Sequence, residues 1–186
     1  MIHVLNKRPL LNFFMLLVFV LGLLSCGEDD GGEMPEVDPL VGTYTFKSAK
    51  FINEVKITIN GQEITFSAGA DATAFVSGGL LGAAPCDDPT NAALELRENG
   101  EGYFVCIGET NEEKAGSWEV DDDRTEITIT LTNPVPTSVI VEDFELTNDV
   151  LKGRINNFPM RKDVSKPQGI DNLQLVSIDV EFDKVE

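Results

Sequence analysis

Alternation of apolar and polar residues is the feature of this sequence that most restricts its fold. From Leu40 onward, apolar side chains recur at every second position, whereas helical periodicity is nearly absent. The dipeptides Asn60-Gly61 and Asn99-Gly100 are strong hairpin signals between such runs. The pattern predicts about eight to ten strands joined mainly by short turns. The apolar positions are Leu40, Gly42, Tyr44 and Phe46; Val55, Ile57 and Ile59; Ile64, Phe66 and Ala68; Leu94 and Leu96; and further runs at residues 103–107, 118–120, 127–131, 139–146, 150–155 and 173–182.

Strands joined by short turns predict an antiparallel meander. An open meander leaves two unpaired edges, and closing the sheet removes them. Residues 40–186 are numerous enough to build one domain with a sizeable core. We therefore expect an all-β, antiparallel up-and-down barrel over residues 40–186.

The amino-terminal residues have the composition of an export signal. Lys7 and Arg8 precede an almost uninterrupted apolar run at residues 10–24. As a helix this run would cover roughly 22 Å, short of the ~30 Å hydrocarbon core of a bilayer. Ser25 and Cys26 follow the run directly, an arrangement that resembles a bacterial lipoprotein signal. The resemblance implies a cleaved signal peptide at residues 1–25 and lipidation of Cys26; an ordinary secretory signal or an uncleaved anchor is the alternative.

The segment after the lipidation site is acidic and rich in glycine and proline. Residues 27–39 contain two prolines, three glycines and six carboxylates. They cannot bury enough apolar surface to become ordered, so residues 26–39 are expected to form a lipidated, disordered tether. The acids after Cys26 resemble the export signal of Bacteroidota surface lipoproteins. This implies an outer-membrane protein displayed at the cell surface; a plain spacer would leave it on the periplasmic face.

Charge and histidine content restrict the chemistry. Removal of residues 1–25 changes the formal charge from −18 to −20 and removes His3, the only histidine. Strong negative charge disfavours nucleic acid as a partner. Lack of histidine excludes Ser-His-Asp and Cys-His catalysis and His-ligated zinc. We expect no enzymatic activity, cofactor or metal, with a carboxylate-based hydrolase as the remaining enzymatic alternative. The acidic clusters at residues 87–88, 121–123 and 142–143 lack a calcium-loop pattern and are expected to be solvated turns.

Cys86 and Cys106 are the cysteines that remain once Cys26 is lipidated. Two remaining cysteines in an oxidising compartment predict one disulfide between them. It would close a loop of about 21 residues and stabilise the fold by roughly 3 kcal/mol. A redox or metal-binding pair is the alternative, but the spacing is not Cys-x-x-Cys.

Several short motifs resemble a known family. Leu40-Val41-Gly42-Thr43-Tyr44 resembles the Gly-x-Trp start of lipocalin-like domains, with Tyr44 in the place of Trp. The order of the later motifs is similar to that in the small lipocalin-like lipoproteins of Bacteroidota. This resemblance implies an up-and-down barrel and no particular substrate. The later motifs are Cys86, Asn99-Gly100, Cys106, Gly116-Ser117-Trp118 and residues 144–151.

Residues 69–85 are unusually apolar for a connection between strands. They are expected to form either a loop packed onto the barrel or a lid or contact surface for a partner. Trp118, the sole tryptophan, is expected either in the core or as a ligand platform. The candidate ligand-binding residues are Tyr44, Phe46, Phe75, Leu80 and Trp118.

Two functions follow from these features. The first is a membrane-anchored carrier of a small apolar ligand, since a barrel of about eight strands can enclose one. The alternative is a non-enzymatic accessory or assembly subunit of a cell-envelope complex. A large apolar interior cavity would favour the carrier, and a filled interior would favour the scaffold.

Overall fold

The computed structural model describes residues 37–132, 136–167 and 169–185. The predicted signal peptide, Cys26 and the tether up to residue 36 lie outside this range. The described part contains one α-helix, α1 (Thr73–Leu80), and ten strands. The strands are β1 (Gly42–Phe51), β2 (Val55–Ile59), β3 (Gln62–Phe66), β4 (Ala92–Leu96), β5 (Glu101–Cys106), β6 (Glu112–Val120), β7 (Glu126–Leu131), β8 (Thr137–Thr147), β9 (Val150–Arg161) and β10 (Leu173–Val185).

Eight strands close into a barrel in the order β1-β10-β9-β8-β7-β6-β5-β4, and every neighbouring pair is antiparallel. The predicted all-β class and closed up-and-down barrel are confirmed, and the architecture is consistent with a lipocalin-like fold. β2 and β3 form a separate two-stranded hairpin. None of the helices in the described ranges has the length and apolar character needed to cross a bilayer.

The hairpin turns form where turn residues were expected. Asn60 and Gly61 join β2 to β3 with φ values of 54° and 77°, a left-handed conformation that glycine and asparagine adopt most easily. Asn148 and Asp149 join β8 to β9 in the same conformation. The local residues therefore set the strand register at both turns.

The two ends of the barrel are closed differently. The hairpin end consists of the turns at residues 97–100, 121–125 and 148–149, together with the turn at residues 38–41. The helix end includes α1, the β2–β3 hairpin, the turn at residues 107–111 and the connection at residues 162–172. The long segment between β1 and β4 thus lies entirely at the helix end.

Leu40 lies buried at the hairpin end, with only 1% of its surface exposed. Asp38 holds the turn in place: its carboxylate accepts a hydrogen bond from Leu40 N at 2.9 Å and binds the Arg124 guanidinium at 2.9 and 3.0 Å. Tyr44 donates its hydroxyl to the Leu40 carbonyl at 2.9 Å. Asp38, which the sequence places in the tether, therefore contacts the barrel.

Residues 69–85 pack onto the barrel, as one of the two expectations had it, and they include the helix α1. Val76 of α1 is fully buried against the barrel, and Thr73 Oγ1 accepts a hydrogen bond from Ala49 N at 3.1 Å. The helix is only eight residues long, includes two glycines and lacks a side-chain cap, so its sequence carries little helical signal. Its position comes from tertiary packing.

The Cys86–Cys106 disulfide predicted from the sequence is present, with the two Cα atoms 5.4 Å apart. Cys106 ends β5, and Cys86 follows α1 by six residues. The bond therefore ties the segment that covers the helix end directly to the barrel wall.

We predict that Leu40→Ala lowers the free energy of unfolding by about 2–5 kcal/mol, because it leaves a cavity at the closed hairpin end. Leu175→Ala is a suitable control, since Leu175 is 65% exposed and its truncation opens no cavity. Urea unfolding followed by Trp118 fluorescence measures both variants. Equal stability of the two would show that Leu40 does not close the core.

Candidate functional site

The interior of the barrel is filled by its own side chains. Tyr44, Phe51, Phe104, Ile127 and Ile178 are each at most 2% exposed. The cavity that remains between α1 and the barrel wall measures about 30 Å³ and has an apolar lining that includes Leu80, Leu81, Leu94 and Phe104. That volume is about the share of one water molecule, whereas ligand pockets commonly measure about 300–1,000 Å³. This cavity is too small for a small apolar ligand.

The predicted ligand-binding residues do not form one site. Tyr44 lies in the core at the hairpin end, and its buried hydroxyl donates a hydrogen bond to the Leu40 carbonyl. Phe46 packs edge-on against Phe182, with ring centroids 5.4 Å apart. Trp118 packs on the core from the hairpin end and donates its indole N–H to the Arg97 carbonyl at 2.9 Å. These contacts give all three side chains structural roles.

Phe75 and Leu80 lie together on α1 at the helix end. The Phe75 ring contacts Phe66 at 5.4 Å and Phe51 at 6.1 Å between centroids, which joins α1 to β1 and β3. Leu80 lines the small interior cavity. Residues 69–85 thus pack onto the barrel and also cover its end.

A larger groove lies on the outside of the helix end. It has a volume of about 530 Å³ and runs between α1 and the last part of β9. We call it the helix-end groove. Its lining consists of Ala74, Phe75, Gly78 and Gly79 from α1, Phe158, Pro159, Met160 and Arg161 from β9, and Val164 and Leu173 beyond them.

Two glycines of α1 shape this groove in different ways. A Cβ atom added at Gly79 would approach Phe158 Cζ to 2.9 Å, so the absence of a side chain lets α1 pack closely on β9. A Cβ atom added at Gly78 would meet nothing within 4 Å. Gly78 therefore exposes helix backbone to the open side of the groove.

Cations border the helix-end groove in an otherwise acidic protein. Arg161 lines the groove, and Lys162 and Lys166 follow it along the chain. Lys166 forms an ion pair with Asp163 at 3.2 Å. Arg161 Nη1 instead donates to the carbonyls of Val164 and Lys166 at 3.3 and 3.4 Å. Among the described residues, this guanidinium is held by long hydrogen bonds to neutral acceptors.

Apolar surface continues beyond the groove. Leu175 is 65% exposed and is paired in the sheet with Pro159, one of the groove residues. Ile170, in the connection between β9 and β10, is 90% exposed. Large apolar side chains left in water beside a groove are typical of an interaction surface.

The acidic clusters at residues 87–88 and 121–123 lie in turns as expected, whereas Glu142 and Asp143 lie within β8 and not in a turn. The Asp121 carboxylate accepts hydrogen bonds from the backbone N–H groups of Thr125 and Glu126, both at 2.7 Å. These bonds hold the pKa of Asp121 below its usual value, with the Glu126 N–H the largest contribution. Asp88 caps the turn that begins at Pro89 through Thr90 N. Nowhere in the described ranges do three His, Cys, Asp or Glu side chains converge on a metal-sized site.

A second cleft, of about 340 Å³, lies on the outer wall over β9 and β10. Its charged residues largely neutralise one another: Arg154 pairs with Asp179 at 3.1 Å and Lys152 with Glu181 at 3.4 Å. Exposed pairs of this kind contribute little stability and leave little unbalanced charge for a ligand. The helix-end groove is therefore the stronger candidate site.

Comparison with protein-family models, with curated proteins and with solved structures found no match for this chain. The resemblance to Bacteroidota lipocalin-like lipoproteins stays a prediction from the sequence motifs. The function has to be argued from the surface itself.

We predict that Tyr44 ionises only near pH 12. Burial of its phenol raises the pKa from the ordinary value of 10.0 to about 12, and the carboxylates of Asp38 and Asp149 add to the shift. Because the folded protein favours the neutral phenol, this contribution to stability is complete below pH 10 and is lost as the pH rises towards 12.

Tyrosinate absorbance of the Tyr103→Phe variant measures this pKa, since Tyr44 is then the sole tyrosine. The substitution keeps the aromatic ring on which Arg97 rests at 3.6 Å. Circular dichroism at each pH confirms that the barrel is folded. A midpoint near pH 10 in folded protein would contradict the burial of this hydroxyl.

Proposed function

We propose that this protein is a non-enzymatic binding scaffold, anchored to a membrane by lipidated Cys26, that presents the helix end of its barrel to a protein partner. The observation that carries the proposal is the contrast between a filled interior and an open groove. The interior cavity of about 30 Å³ holds no ligand of useful size, whereas the groove of about 530 Å³ adjoins exposed apolar side chains. This contrast supports the proposal of an accessory subunit over that of a carrier with its ligand inside the barrel.

The position of the chain entry supports this orientation. Val37, the first described residue, leads into the turn at residues 38–41, which lies at the hairpin end. The described chain therefore enters the barrel at the hairpin end. The helix-end groove lies at the opposite end of the barrel, where a partner has access.

A small apolar ligand in the helix-end groove is the second candidate function. The groove volume of about 530 Å³ falls within the range of ligand pockets, and Phe75, one of the predicted ligand-binding residues, lines it. In this second candidate function, the ligand binds on the outside of the barrel and not in its interior.

The anchor predicts that metabolic labelling with radioactive palmitate marks the full-length protein in its native host. Cys26→Ser should abolish the label, because the other cysteines, Cys86 and Cys106, are joined in a disulfide. The Cys86→Ser/Cys106→Ser double variant is the control and should remain labelled. An unlabelled wild-type protein would remove the anchor from the proposal.

The partner is tested by placing a photo-crosslinking amino acid at Ala74, an exposed residue of the groove. The same amino acid at Glu98, exposed at the hairpin end, is the matched control. Irradiation of intact cells should yield a discrete protein adduct from position 74 and none from position 98. An adduct with the mass of a small molecule would favour the second candidate, and no adduct would contradict both.

A further inference from the structure

We propose that the helix-end groove recognises an acidic and apolar protein segment, with an apolar side chain in the groove and an adjacent carboxylate on Arg161. This inference rests on the proposed scaffold function and adds the chemistry of the partner. The argument comes from the distribution of charge, the shape of the groove and the apolar surface around it.

Arg161 and Lys162 are cations that lack an acidic partner among the described residues. Residues 40–186 hold 12 Lys and Arg against 26 Asp and Glu. Neither Arg161 nor Lys162 has a carboxylate within ion-pair distance among the described residues; Lys162 Nζ instead donates to the Asp171 carbonyl at 3.3 Å. In the same part of the chain, eight other cations form ion pairs: Lys47, Lys56, Arg97, Lys114, Arg124, Lys152, Arg154 and Lys166.

An acidic protein that leaves two adjacent cations without carboxylates has the charge pattern of a site completed from outside. A guanidinium binds a carboxylate through two parallel hydrogen bonds, which are stronger than its present long bonds to carbonyls. Arg161 also lines the groove, so a carboxylate bound there brings the adjoining residue of the partner to the groove.

The shape of the groove favours a polypeptide over a free fatty acid. The groove is an open trough, and Gly78 exposes helix backbone along one side. Apolar surface extends from the groove to Leu175, which is 65% exposed and paired with the groove residue Pro159. A polypeptide can cover this surface with several side chains and can also hydrogen-bond to exposed backbone.

The binding test uses fluorescein-labelled ten-residue peptides with a Glu-Phe-Glu or Glu-Leu-Glu centre between Gly and Ser residues. Matched peptides replace both Glu with Lys, or replace the apolar residue with Ala. Fluorescence anisotropy with the purified, unlipidated protein gives the Kd of each peptide. We expect the acidic–apolar peptides to bind, the Lys peptides to show no binding, and the Ala peptides to bind at least fivefold more weakly. Salt should weaken the binding.

Two variants locate the binding. Arg161→Glu should raise the Kd at least tenfold, a loss of about 1.4 kcal/mol. Gly78→Gln should raise it similarly by filling the groove, because an added side chain meets nothing within 4 Å and improves helix propensity. Lys47→Glu is the charge-matched control on the outer wall, where Lys47 forms an exposed ion pair with Asp183 at 2.8 Å; it should leave the Kd within twofold.

Several outcomes would overturn the inference. These are no binding of any acidic–apolar peptide, equal binding of the Lys peptides, displacement by palmitate at comparable concentration, or no effect of Arg161→Glu in folded protein. If the Ala74 crosslink still yields a protein adduct, the scaffold function stands and the acidic recognition fails. If neither crosslink nor peptide binding is observed, both are wrong. Should Gly78→Gln not fold, Arg161→Glu and the Lys peptides still decide the test.

Discussion

β1 hydrogen-bonds to β10 on one side and to β4 on the other, and the rest of the structure depends on this double pairing. It joins strands that are far apart in the sequence and leaves the eight-stranded sheet without an open edge. Closure also fixes how much space lies inside. Tyr44, Phe51 and Phe104 are buried inside the eight-stranded wall, where they help to fill the barrel.

The candidate binding surface lies outside the barrel, because the described groove there is much larger than the described interior cavity. Leu40 closes one end, and the segment that contains α1 closes the other, held there by the Phe51, Phe66 and Phe75 cluster and by the Cys86–Cys106 disulfide. The same packing that closes the helix end creates the groove between α1 and β9. One helix therefore acts both as a plug for the core and as a wall of the candidate site.

Both ends of the barrel carry acidic residues, and Asp71, Asp87, Asp88 and Glu109 lie at the helix end. The turns at the hairpin end carry Glu98, the three aspartates at residues 121–123, and Asp149. The helix end holds Arg161 and Lys162, which lack carboxylate partners in the described part of the chain. Cations without carboxylate partners thus lie beside exposed apolar side chains at the helix-end groove, which supports an acidic and apolar partner segment there.

The sequence by itself determined the all-β class, the ten strands, the two Asn-Gly hairpins and the disulfide, because alternation, turn chemistry and paired cysteines act over short distances or by elimination. It also indicated that residues 69–85 are unusual. Only the tertiary structure decided that they form α1, since an eight-residue helix with two glycines owes its existence to the surface on which it packs.

The candidate site could not be predicted from the sequence for the same reason. Phe75 lies more than 80 residues from Phe158, Met160 and Arg161, and only barrel closure brings α1 and the end of β9 together. The sequence likewise could not show that Tyr44, Phe46 and Trp118 serve the core, because whether a barrel is hollow depends on how all its inward side chains pack at once.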